Sequence, residues 1–170
     1  MSFKYPKPGP NFTPAYQVSG IPYVTASIAN EVPGVHDGSG GAAPRPSPIQ
    51  VDFDYVTKWI EIKNTHGSNG LRVAFTLTGS YDLGEKLPED IVKGSDKTRN
   101  FFVLASGQKV KYDVRCKSLF FLANTETGTP TNNANKSQFE LRAGLTSIAA
   151  ADFPVLTGSL DGNSSFAGVG

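Results

Sequence analysis

Four stretches of this chain alternate apolar and polar residues with a period of two, and there is no helix pattern of ordinary length. Ile49, Val51, Phe53 and Tyr55 alternate with Gln50, Asp52 and Asp54, and Leu71, Val73, Phe75 and Leu77 with Arg72, Ala74, Thr76 and Thr78. Further on, Val110, Tyr112, Val114 and Cys116 alternate with Lys109, Lys111, Asp113, Arg115 and Lys117, and Phe139, Leu141, Ala143 and Leu145 with Gln138, Glu140 and Arg142. Side chains point to opposite faces along a strand, so each stretch predicts a strand with one buried face. Val56, Ile60 and Ile62 sit in the opposite phase to Ile49 and Val51, which requires a bulge or tight turn at 56–58. Residues 101–104 and 119–123 are continuous apolar runs of buried-strand type.

The connections between these runs are unequal. Ser106-Gly107 makes a short turn, 64–70 is a turn cluster, 124–137 is rich in turn formers, and Gly144 predicts a bend. Residues 79–100 form a longer polar connection with one helical turn expected at 87–92, and 153–156 add a last strand. Eight or nine short strands with such uneven links predict an all-β fold, an antiparallel β-sandwich of jelly-roll or Greek-key type rather than an up-and-down barrel.

Nine of the 12 prolines fall in the first 48 residues, which rules out helix of any length there. Residues 1–47 therefore read as an extended Pro/Gly-rich arm and linker, 48–156 as the β-sandwich domain, and 157–170 as a flexible Gly/Ser tail. Within the arm, residues 16–27 carry β-branched and aromatic side chains broken by Gly20 and Pro22, which suits an edge strand or a docked extended peptide. Tyr16, Val18, Ile21, Tyr23 and Val24 are its candidate protein-interaction residues. The linker from 31 to 48 has almost no large apolar residue beyond Val35, too little to order itself. A length of 170 residues fits one such domain.

Sixteen basic and 15 acidic residues leave a net charge of +1, which argues against nucleic acid and anionic membranes as primary partners. The stripe Lys109, Lys111, Arg115 and Lys117 is interrupted by Asp113 and reads as a solvated sheet face. The single cysteine, Cys116, excludes an internal disulfide, and its phase with Val110 and Val114 turns it inward, away from a dyad with either histidine, His36 or His66. Asp52 and Asp54 share a strand face but lack the further oxygen ligands of a cation site. Residues 94–98 lack the spacing of a phosphate loop. The expectation is therefore no catalytic residue, no metal, no cofactor and no enzyme activity. Trp59 lies out of phase with Ile60 and Ile62, which makes it a surface aromatic for an interface or a sugar. The amino terminus lacks the organisation of a secretory signal and no run approaches a membrane span, so a cytosolic origin is expected.

Three segments together carry a resemblance. They are Phe53-Asp54-Tyr55-Val56-Thr57-Lys58-Trp59-Ile60-Glu61-Ile62-Lys63-Asn64-Thr65, Leu71-Arg72-Val73-Ala74-Phe75-Thr76 and Phe139-Glu140-Leu141-Arg142-Ala143-Gly144-Leu145-Thr146. Their succession, over residues 48–150, resembles small single jelly-roll capsid proteins of icosahedral DNA viruses, of the penton or minor-capsid kind. The resemblance implies a virion protein made in a host cytoplasm, homo-oligomeric as a pentamer or else a trimer, and partnered by a major capsid protein or other virion proteins. It implies that residues 16–27 dock on neighbouring subunits. The chain lacks the added receptor-binding domain of larger pentons, which points to a structural role. A capsid decoration, cement or knob protein, and a carbohydrate-binding β-sandwich module, are the alternatives.

Overall fold

A computed structural model describes residues 22–27, 32–34, 47–80, 101–124, 136–153, 157–158 and 164–165. Eight strands form two four-stranded antiparallel sheets: β1 (Pro22–Ala26), β2 (Ile49–Asp52), β3 (Tyr55–Asn64), β4 (Gly70–Ala74), β5 (Phe101–Leu104), β6 (Lys109–Tyr112), β7 (Ser118–Asn124) and β8 (Phe139–Ala149). One sheet has the order β1-β8-β3-β6 and the other β2-β7-β4-β5. Thr157–Gly158 (β9) and Ser164–Ser165 (β10) pair separately as a short antiparallel ladder. The expected helical turn at 87–92, the loop at 94–98, His36, Tyr16, Val18 and Ile21 lie outside the described residues.

The core is the space between the two sheets. Ile60, Ile62, Leu141, Ala143 and Leu145 from one sheet meet Leu71, Val73, Leu104, Leu119 and Phe121 from the other. Burying each aliphatic side chain contributes roughly 1.5–3 kcal/mol, so this layer dominates the stability. Phe121 and Phe139 stack across it with ring centroids 4.0 Å apart. The reversal of phase expected near residue 57 is present: the β3–β8 register shifts between Tyr55 and Thr57 and again between Thr57 and Trp59. Beyond the bulge, Ile60, Ile62 and Asn64 point inward while Trp59, Glu61 and Lys63 face out.

The structure departs from the sequence pattern in several places. The edge strand expected within 16–27 is present at 22–26, but as part of the sandwich itself: β1 pairs along its length with β8, and Tyr23 packs edge-on against Phe53 at 5.0 Å. The body thus starts before residue 48. Residues 32–34, expected to be part of a linker without order, are anchored: Val32 and Ser137 exchange backbone hydrogen bonds, Ala123 donates to the Pro33 carbonyl, and the Val32 side chain is buried in the core. Two-way backbone pairing and one buried β-branched residue supply what the surrounding Gly and Pro lack.

The alternation in 71–77 also ends early. β4 stops at Ala74, and Arg72 and Ala74 are buried along with Leu71 and Val73, so both of its faces are covered. The Arg72 Nε donates to Asn124 Oδ1 at 2.7 Å, and its guanidinium lies 4.4 Å from the Phe101 ring centroid. Gly144 does not bend the chain, since β8 continues through it and sets it opposite both Trp59 and Pro22. Tyr112, expected inward, is 42% exposed at the end of β6, where its ring meets Phe102 edge-on.

At one end of the sandwich the buried Asn64 side chain links four segments. Its Nδ2 donates to the carbonyls of Asn69 (2.8 Å) and Leu104 (3.0 Å), and its Oδ1 accepts from the His66 amide (3.0 Å) and, at 3.5 Å, from the Ser137 hydroxyl. The carboxamide's two donors and its acceptor oxygen are all in use. Replacing Asn64 by Asp keeps the shape but faces a carboxylate toward two carbonyls, at a cost of roughly 3–5 kcal/mol at pH 7. Burial raises such a carboxyl's folded-state pKa, so the stability of Asn64→Asp is expected to fall as pH rises from about 4, which urea denaturation at several pH values will read. Phe121→Ala removes the central aromatic of the core and is expected to cost roughly 3–5 kcal/mol in the same measurement.

Candidate functional site

The outward face of the β1-β8-β3-β6 sheet is the polar surface on which the described side chains converge. The registers align Ala26, Glu140, Lys63 and Lys109 on one rung and Val24, Arg142, Glu61 and Lys111 on the next. Pro22, Gly144 and Trp59 follow on the third. Directly opposed residues on adjacent strands stand close enough for their side chains to interact. Glu61 lies between two cations, with Oε2 3.4 Å from the Lys109 ammonium and Oε1 3.8 Å from the Arg142 guanidinium. The Lys111 ammonium sits 4.8 Å from the Trp59 ring centroid, a cation–π contact.

Glu61, Lys63, Gly107, Lys109, Glu140 and Arg142 together line an open basin of about 360 Å³. Its wall at Gly107 is a built turn. Gly107 adopts φ of 73°, a left-handed conformation that other residues rarely tolerate, and donates to the Asn64 carbonyl. Asn64 donates in turn to the Gln108 carbonyl, and the Ser106 hydroxyl to the His66 carbonyl at 2.7 Å. The buried Asn64 side chain therefore fixes the strand end to which this wall is fastened.

Trp59 faces outward with Glu61 and Lys63, as its phase predicts. Val24 also faces outward on the edge strand and is 71% exposed, whereas Tyr23 turns inward against Phe53. The basic stripe does not persist as one row: β6 ends at Tyr112, Lys109 engages Glu61, and Lys111 covers Trp59. Glu61, Lys63, Glu140 and Arg142 were not singled out by the sequence. Their outward phase is legible, but their meeting depends on pairing between strands far apart in the chain.

The reactive residue types sit elsewhere. The Cys116 thiol is buried and lies 3.3 Å from the Thr57 hydroxyl, which also accepts from the Cys116 amide and donates to the Val114 carbonyl. Burial pushes the thiol up to about 11, with the Thr57 contact opposing the shift. His66 acts as a turn residue, its Nδ1 accepting from the amides of Ser68 and Asn69. Asp52 closes β2 and Asp54 stands beyond it at the corner into β3, both exposed. Partial burial, then the charges of Asp54 and Asp52, raise the pKa of the Tyr23 hydroxyl. Among the described residues there is no cluster of three or more His, Cys, Asp and Glu side chains, and no helix long and apolar enough to cross a membrane.

Comparison with protein-family models, curated proteins and solved structures found no match for this chain.

The two raised pKa values set an alkaline limit. An unfolded thiol ionises near 8.5, while folded Cys116 keeps its proton to about 11. The folded state then binds more protons, so this contribution is fully present below pH ~8.5 and is lost as pH rises toward 11. Tyr23 acts in the same direction at higher pH. Urea midpoints are expected to fall between pH 8 and pH 10, with a shallower fall in Cys116→Ala; equal slopes in both chains contradict the assignment.

Proposed function

We propose that this chain is a structural virion protein of penton or minor-capsid type, whose body is a single jelly roll and whose first residues form an arm lying on neighbouring subunits. The observation that carries the reading is the strand order: the first strand lies beside the eighth, the second beside the seventh, and each sheet takes four of the eight strands. Such nesting is what two interleaved Greek keys produce, and eight-stranded jelly rolls serve widely as capsid and lectin domains. A fold alone does not define a function. The additional support is the resemblance over residues 48–150 to small jelly-roll capsid proteins.

In this reading the chain has no catalytic role and acts through geometry. Jelly-roll subunits assembled head to tail close into rings when the rotation permits, here five-fold at a vertex. In this reading the arm residues Tyr16, Val18 and Ile21, which precede the edge strand β1 in the sequence, contact a neighbour, and Val24 presents an apolar side chain on that edge. Tyr23 instead serves the chain's own core, and a major capsid protein is the expected partner.

Light scattering on the purified full-length chain tests the proposal, beside a chain trimmed to begin at Gly20 so that β1 is kept. A pentamer that weakens on trimming is expected. A trimer favours the decoration alternative, and a monomer that fails to bind any capsid shell contradicts both. Val24→Lys alters an exposed side chain, so stability is expected to change by no more than about 0.5 kcal/mol while assembly is reduced.

A further inference from the structure

The basin on the outer sheet face has features that an assembly role does not use. We propose that it is a binding site for a carboxylate-bearing sugar. Glu61 holds Lys109 and Arg142 from opposite sides, yet both cations remain more than half exposed (58% and 59%), so donors stay available to a ligand. The guanidinium alone carries five N–H groups in a fork that matches a carboxylate. On the next rung Lys63 and Glu140 stand opposite each other, and no ion pair joins either to another described residue. The lining thus offers three cations for a ligand's carboxylate and, in Glu140, a second carboxylate to accept its hydroxyls.

That second carboxylate selects the ligand class. Glu140 repels a bare inorganic anion but accepts hydrogen bonds from a vicinal diol. The basin's volume of about 360 Å³ falls in the range of small-molecule sites. Along β3, Trp59 lies two residues from Glu61 on the same face, at about 7 Å, and offers an aromatic surface to a second sugar ring once the exposed Lys111 ammonium swings aside. A wall held by backbone hydrogen bonds at Gly107, and a floor made by a hydrogen-bonded sheet, keep the site formed without ligand.

Uronic-acid polymers and sialylated glycans both present this chemistry. The test titrates the ¹⁵N-labelled full-length chain with a glucuronate-terminated disaccharide, sialyllactose, lactose, sodium acetate and an Asp/Glu-rich peptide, following amide shifts. Saturable shifts at Lys63, Gly107 and Arg142 are expected with one or both acidic sugars, at least tenfold tighter than with lactose or acetate. Which acidic sugar binds more tightly identifies the source. Lys63→Gln and Arg142→Gln, both at exposed positions, are each expected to weaken acidic-sugar binding at least tenfold while leaving the spectrum otherwise intact. Three outcomes overturn the proposal: no saturable shift up to ~10 mM sugar, equal response to lactose or acetate, or tighter binding of the peptide. The site is contained in one chain, so its failure leaves the virion reading untouched, and a monomeric chain can still pass this test.

Discussion

The Asn64 carboxamide is buried at the end of β3, where it bonds to the 65–69 turn, to β5 of the opposite sheet and to Ser137 ahead of β8. Hydrophobic contact between sheets is nondirectional and would tolerate sliding of one layer on the other. A carboxamide that donates to the Leu104 and Asn69 carbonyls and accepts from the His66 amide does not tolerate it, because each displaced partner would be left buried and unpaired. Such fully satisfied polar groups fix a unique arrangement of the core around them. The apolar layer of Ile60, Ile62, Phe121 and Leu141 supplies the driving force, and Asn64 selects the register in which it is used.

That register has consequences on the opposite face. With Ile60, Ile62 and Asn64 inward, Trp59, Glu61 and Lys63 must face out, and antiparallel pairing then sets Arg142 and Lys111 beside Glu61. The same residue's backbone receives the Gly107 amide and so fastens the turn that walls the basin. Core packing, the outer charge pattern and the proposed sugar site are thus linked through the end of one strand. The edge strand β1 contributes differently, turning Tyr23 to the core and Val24 to the outside, where assembly would use it.

Much of this was legible where local pattern and tertiary demand agree. The alternation in β2, the bulge around Thr57, the inward Cys116 and the outward Trp59 all follow from a two-residue period read over a few residues. Readings failed where a second surface covers the strand or where the chain is stitched from afar. Arg72 is buried because Asn124 and Phe101, distant in sequence, receive it. Val32 is ordered because Ser137 lies beside it, an arrangement no local pattern announces. Asn64 reads as the first residue of a turn, and nothing local distinguishes a turn asparagine from one that also holds Leu104 and Ser137, 40 and 73 residues away. The basin was hidden for the same reason, since its lining comes from three strands and a turn that only the sheet brings together.

Hydrogen exchange of the Asn64 side-chain amide measures directly whether this carboxamide holds the two sheets in place. If it does, both Nδ2 protons exchange as slowly as the backbone amides of Ile60 and Phe121, through global unfolding alone, with the same response to urea. Exchange of those protons on the timescale of exposed turn amides, while Ile60 and Phe121 stay protected, would show that this end of the sandwich opens on its own and that Asn64 does not determine the fold's register.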